Sequence, residues 1–199
     1  MSMWKKIKQI LGAPPDSSGK EDEDLEFVTF TKKDPIDVQF TKNFISGGGM
    51  FFYSENEQTV LQHLNDIMIN ENAEEVVCFD KELESLLNRL NIKHSKRYNQ
   101  NSDFAFIKCE YLVAYDGSIM LSSHKTNGRK QEEMPGNIIV YATPKQFVAN
   151  VSEALTKLKY AKKDDIPTNI SSIRGKNMHD LQVSSNHKNI YLILAEEIK

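Results

Sequence analysis

The chain has 199 residues, 39% of them hydrophobic, enough for the core of one ordinary domain. Its 25 Lys and Arg stand against 28 Asp and Glu, a formal net charge of −3, so no global field attracts a polyanion: nucleic acid is not expected as a partner, and any anion site has to be local. No apolar run approaches the ~18 residues that span a bilayer, so stable membrane insertion is not expected either.

In chain order, "MWKKIKQIL" puts Trp4, Ile7, Ile10 and Leu11 on one helical face and Lys5, Lys6 and Lys8 off it, so residues 1–11 read as a short basic amphipathic helix. "GAPPDSSGKEDEDLE" (12–26) mixes Pro, Gly, Ser and carboxylates without apolar periodicity and reads as a flexible acidic linker. The domain proper is expected over 27–199. In "FISGGGMFFYS" (44–54), three glycines separate apolar pieces, and Ser54 with Glu57 fits the capping box of a helix carrying Val60, Leu61, Leu64, Ile67 and Met68 on one face. "EVVCFD" (75–80) reads as a buried strand, with Asp80 capping a helix whose Leu83, Leu86, Leu87 and Leu90 share a face. Alternating strand and helix predicts βαβ units and a parallel sheet.

"DFAFIKCEYLVAYDGSIMLSS" (103–123) changes the pattern: two apolar runs meet at Asp116-Gly117, a dipeptide suited to a tight hairpin. "NIIVYATPKQFV" (137–148) reads as a strand followed by Thr143 as N-cap, Pro144 and Gln146, opening a helix that continues through Val148, Val151, Leu155 and Leu158. A short apolar piece at 170–173 and a last strand from Asn189 to Ala195 complete the chain. The fold class expected is α/β with three layers: a mostly parallel sheet with an antiparallel hairpin inserted.

The two cysteines, Cys78 and Cys109, lie singly in apolar segments, which points to packed reduced thiols and a cytoplasmic location, with no disulfide, zinc or cluster. His179 and His187 have no metal-ligand spacing, and no metal or cofactor is expected. Gly47-Gly48-Gly49 lacks the Walker lysine and reads as a turn. Glu110 and Asp116 share a side of the hairpin if no bulge intervenes, but at a separation too large for joint acid–base work. "SSHKTNGRK" (122–130) follows a strand end with Ser122, Ser123, His124, Lys125 and Arg129, hydroxyls and cations that together suit a carboxylate or phosphate; a solvated basic loop has the same composition. Arg174, with Ser171, Ser172 and Gly175 around it after another strand end, suits an oxyanion in the same way.

These segments together, "SDFAFIKCEYLVAYDGSIMLSS", "GRK…MPGNIIVYATPKQFV" and "IPTNISSIRG…HKNIYLILAEEI", resemble the LUD-domain (lactate utilisation, LutC-like) family over roughly residues 38–198. The resemblance implies a fold similar to sugar-phosphate isomerases and CoA transferases. It further implies a role in converting L-lactate to pyruvate beside iron–sulfur partner subunits, with a small carboxylate or phosphorylated ligand. The family's Thr-Gly-Thr/Ser hairpin is similar to Asp116-Gly117-Ser118, and its Gly-Arg to Gly128-Arg129. "SSIRGKNMHD" lacks the family's Gly-Pro-Ser-Arg-Thr run, and Arg174 meets its arginine only if one residue is skipped. The ligand-contacting candidates, from the resemblance at the hairpin and at Arg129 and from the residue types of the two loops, are Asp116, Gly117, Ser118, Ser122, Ser123, Arg129, Ser172 and Arg174; no catalytic residue is carried over, and whether the chain is an enzyme stays open. The alternative is a non-catalytic interaction module that keeps the fold without the family site. A CoA transferase with Glu110 as covalent nucleophile is a third reading.

Overall fold

The computed structural model of the protein describes residues 34–98, 102–163, 165–175 and 188–196. The expected N-terminal helix, the acidic linker, His179 and His187 lie outside the described residues. Helix α1 (Ile36–Ser46) leads through Gly47–Gly49 into β1 (Met50–Ser54), then α2 (Glu57–Asn70), β2 (Val76–Cys78), α3 (Lys81–Arg89) and the two-residue β3 (His94–Ser95). Next come strands β4 (Phe104–Lys108), β5 (Tyr111–Val113), β6 (Ser118–Ser122) and β7 (Asn137–Ala142). After β8 (Phe147–Val148) come α4 (Val151–Ala161), β9 (Ile170–Ile173) and β10 (Asn189–Ala195).

Six strands form one sheet in the order β1-β10-β7-β4-β2-β3, every pair parallel. Its central strands are apolar on both faces, as a sheet covered on both sides requires. In β10, Ile190, Leu192 and Leu194 enter the core that also holds Phe40 and Phe44 of α1, while Tyr191, Ile193 and Ala195 enter the core under α2 and α3. A second, four-stranded sheet, β8-β5-β6-β9, closes the α1 side: Leu112, Ile119, Leu121 and Ile173 point into that shared core. Val113, Met120 and Val148 point the other way, toward Ala154 of α4. The layers expected from the sequence are therefore present, and the inserted hairpin belongs to a sheet of its own.

Three local readings need correction. The capping box of α2 is built by Asn56 and Thr59, whereas Ser54 closes β1 and lies buried with its Oγ 3.0 Å from His63 Nδ1. The box at Thr143 and Gln146 exists, but it encloses a single 3-10 turn, Pro144–Gln146; the chain then extends as β8, and α4 starts afresh from its own cap, Asn150. The apolar stretch 104–113 is two strands in two sheets, broken at Cys109-Glu110, where the Gln146 Nε2 donates to the Cys109 carbonyl at 2.7 Å.

Candidate anion site at the strand ends

Because the main sheet is parallel, its strands end on one edge, and the first residues beyond each strand collect there. After β2 comes Asp80, whose Oδ1 accepts from the backbone N–H groups of Glu82 and Leu83 and so caps α3. The last residue of β4 is Lys108, whose ammonium donates to Glu82 at 2.6 Å and pairs with Asp80 at 3.1 Å. Burial pushes the Asp80 carboxyl up, but Lys108 and the two capping N–H groups outweigh it and hold the group below its usual range. Burial likewise works against the charged Lys108, and Glu82 with Asp80 overcomes it, so its ammonium is held above the ordinary lysine value.

The turn after β6 supplies the remaining cations. The N–H groups of Lys125 and Thr126 both return to the Ser122 carbonyl, that of Gly128 to Ser123, and that of Arg129 to Thr126, with Asn127 and Gly128 at positive φ of 52° and 76°. Its own hydrogen bonds thus fix this turn, and they leave the His124 and Lys125 side chains to the space beyond β4. There they join Phe79, Asp80, Phe106, Ile107 and Lys108 around a cavity of about 110 Å³. Lys108 is committed to its carboxylates, and His124 faces Asp165 at 3.5 Å. Lys125 is half-buried and has no partner for its ammonium among the described residues. Lys125 is therefore the ammonium on this notch without a direct carboxylate partner among the described residues, in a notch too small for a whole organic cofactor, since pockets for such ligands start near ~300 Å³.

Beside the notch, Cys109 is fully buried and its thiol is pushed up to about 12 by burial, with Lys125 pulling the other way, so it stays protonated and unreactive. Glu110 accepts a hydrogen bond from the Ser122 hydroxyl at 2.5 Å. Among the described residues no group of His, Cys, Asp and Glu is placed to hold a metal ion.

The ligand-contacting residues expected from the sequence separate into two groups at opposite ends of the small sheet. Asp116, Gly117, Ser118 and Arg174 form one end. Asp116 Oδ1 accepts from the N–H and hydroxyl of Ser118, its other oxygen pairs with the Arg174 guanidinium, and Ser118 is buried. Gly117, at φ 67°, packs so closely on α1 that a Cβ there would lie 2.4 Å from the Phe44 nitrogen. Gly175 meets the backbone of Gly48 and Gly49 in the same way. This end is a packed joint between hairpin, α1 and the strand end after β9, and its exposed arginine is paired with Asp116. Ser172, opposite Met120 in the β6–β9 pair, is exposed. Ser122 and Ser123 are at the other end: Ser122 bonds to Glu110, and the Ser123 Oγ accepts from the Thr168 N–H at 3.2 Å. Arg129 lies over the Tyr98 ring, 5.7 Å from its centroid. Glu110 and Asp116, at opposite ends of the hairpin, form no pair. Lys108 is the site residue that sequence reasoning missed, since a lysine closing an apolar strand carries no signal until its neighbours are known.

The LUD domain model matches residues 38–199 of this chain, a span that takes in the described elements from within α1 to β10. The chain belongs to the LUD-domain family. Among solved structures, a DUF162 family protein from Deinococcus radiodurans superimposes with a TM-score of 0.62 at 13% identity, covering 81% of this chain and 96% of that one. At that identity the likeness carries the fold, and it places the LUD chain's two sheets in a known architecture. No curated protein matches this LUD-domain chain.

Proposed function

We propose that this LUD-domain protein acts in lactate utilisation, the conversion of L-lactate to pyruvate in the cytoplasm, by binding a small carboxylate or phosphorylated anion in the notch at Lys125 and working beside iron–sulfur partner subunits. The Lys125 ammonium, unpaired among the described residues, with Lys108 and His124 on the same small cavity, carries the reading. A carboxylate or phosphate oxygen is the partner such an ammonium lacks, and charge-assisted hydrogen bonds to it are the strong kind. With a single unpaired cation in the notch, affinity near millimolar is expected, about 4 kcal/mol. Family membership supports the pathway, and the implied likeness to sugar-phosphate isomerases and CoA transferases sets the other ligands to try. Thermal unfolding with lactate, pyruvate, inorganic phosphate, a sugar phosphate and a CoA ester tests it. A ligand at ten times its Kd stabilises by about 1.4 kcal/mol, about 3–5 °C in a chain of this size. Lys125→Ala should abolish the shift; no shift with any ligand, or an undiminished shift in the variant, refutes the anion reading.

One observation favours a second reading, a non-catalytic interaction module. The arginine that resembles the family's own is held by Asp116, and glycine packing closes the joint around it. On that reading residues 1–26 find the partner. Pull-down with and without them decides: unchanged capture of iron–sulfur subunits counts against it.

A further inference from the structure

A second cavity lies on the α2–α3 side of the same edge. It measures about 300 Å³, and Val60, Leu83, Leu86 and Tyr141 supply its apolar wall. Its charged rim is already paired, Arg89 with Glu57 and Glu82 with Lys108. The two cavities have no lining residue in common, but Lys108 links them. Lys108 lines the notch, bonds to Glu82 of the groove, and stands directly opposite Tyr141 in the β4–β7 register, so their side chains lie side by side on one face of the sheet. Tyr141 is half-buried, and its hydroxyl has no partner among the described residues.

We propose that this groove is the second compartment of one site, receiving the uncharged body, a ring or short acyl chain, of an organic anion whose carboxylate or phosphate sits at Lys125. The inference rests on the anion reading above and adds the class of ligand. The notch admits only a head group, while the groove reaches the lower limit of volumes that hold small molecules. The groove offers apolar surface with the Tyr141 phenol and the Ser85 hydroxyl, and its charges are paired, so it selects for an uncharged body. Lys108 marks the boundary between head and body.

Calorimetric titration of the full chain with two matched pairs, acetate against 3-phenylpropionate and inorganic phosphate against phenyl phosphate, tests this and shows which head group is taken. Within the accepted pair, the ring should improve affinity by about 10-fold or more, as burial of one ring against apolar walls allows. Leu86→Asn should reduce that gain, whereas Lys125→Ala should weaken both members. In the unaltered chain, the methyl resonances of Leu83 and Leu86 should move with the ring-bearing ligands only, a readout that does not depend on any variant folding. Equal affinity within the accepted pair, or methyl shifts that fail to distinguish its members, overturns the second compartment while the anion site stands. Binding of none of the probes overturns the anion site itself.

Discussion

Gly117 and Gly128 are both turn glycines at positive φ, 67° and 76°, but their surroundings differ. A Cβ at Gly117 meets the backbone of Asn43 and Phe44 at 2.4–2.5 Å, whereas at Gly128 nothing lies within 4 Å. Both substitutions to alanine incur left-handed strain of about 1–2 kcal/mol, and at Gly117 a clash with helix backbone adds about 1–3 kcal/mol. Urea unfolding should therefore show Gly117→Ala destabilised by about 2–5 kcal/mol and Gly128→Ala by no more than about 2 kcal/mol. Equal losses would mean that the hairpin does not seat on α1. At Asp80 the argument is electrostatic. Its folded-state pKa is depressed below the unfolded value of about 3.9, so its stabilisation is fully present above that pH and is lost as pH falls through the lower folded value. Lys108 is the mirror case: its folded pKa is raised above about 10.4, and its contribution is lost only as pH rises beyond that. Asp80→Asn, which keeps a capping oxygen, should cost about 1 kcal/mol near neutral pH and flatten the acid limb of stability below about pH 4. An acid limb identical to that of the wild type would remove the pair from the account.

At the scale of elements, legibility depended on whether the deciding contact was local. The last strand, "NIYLIL", could be read because it is continuously apolar, and Asp80 as a cap because the cap bonds lie within three residues. The break between β4 and β5 could not: "FAFIKCEYLV" is apolar on both sides of it, and what diverts the chain at Cys109-Glu110 is the side chain of Gln146, 37 and 36 residues away. The same distance hid half of the candidate site. The basic turn at 122–130 was visible as composition, but that His124 and Lys125 meet Lys108, and that Arg174 pairs with Asp116, depends on pairing across two sheets. The start of α2 is displaced by two residues from its expected cap because Ser54 and Asn56 are both good caps, and only burial of Ser54 inside β1 leaves the role to Asn56. Asn56→Ala should thus lower stability by about 1 kcal/mol through the loss of its hydrogen bond from the Thr59 N–H. A chemical-denaturation midpoint unchanged by the substitution would contradict the cap assignment.

For the whole molecule, the question is how much of the chain the fold requires. The buried apolar residues begin at Val38, four residues into the described part, and the family match begins at the same residue. Phe40 and Phe44, exposed by 0% and 1%, stack on one another at 5.5 Å, and Phe40 meets Phe147 of the second sheet edge-on at 5.4 Å. Helix α1 is thus part of the wedge between the sheets. A chain beginning at residue 34 should unfold in a single transition within about 2 °C of the full chain and bind the same anion. One beginning at residue 47 removes both phenylalanines, each worth about 3–5 kcal/mol when deleted from a core, and should not fold, because that loss rivals the entire stability of an ordinary domain. If the chain beginning at 34 fails to fold, the first 33 residues belong to the core. If it folds but loses capture of the iron–sulfur subunits proposed as partners, the N-terminal segment is where they dock, and the proposed anion site and the docking segment are separable.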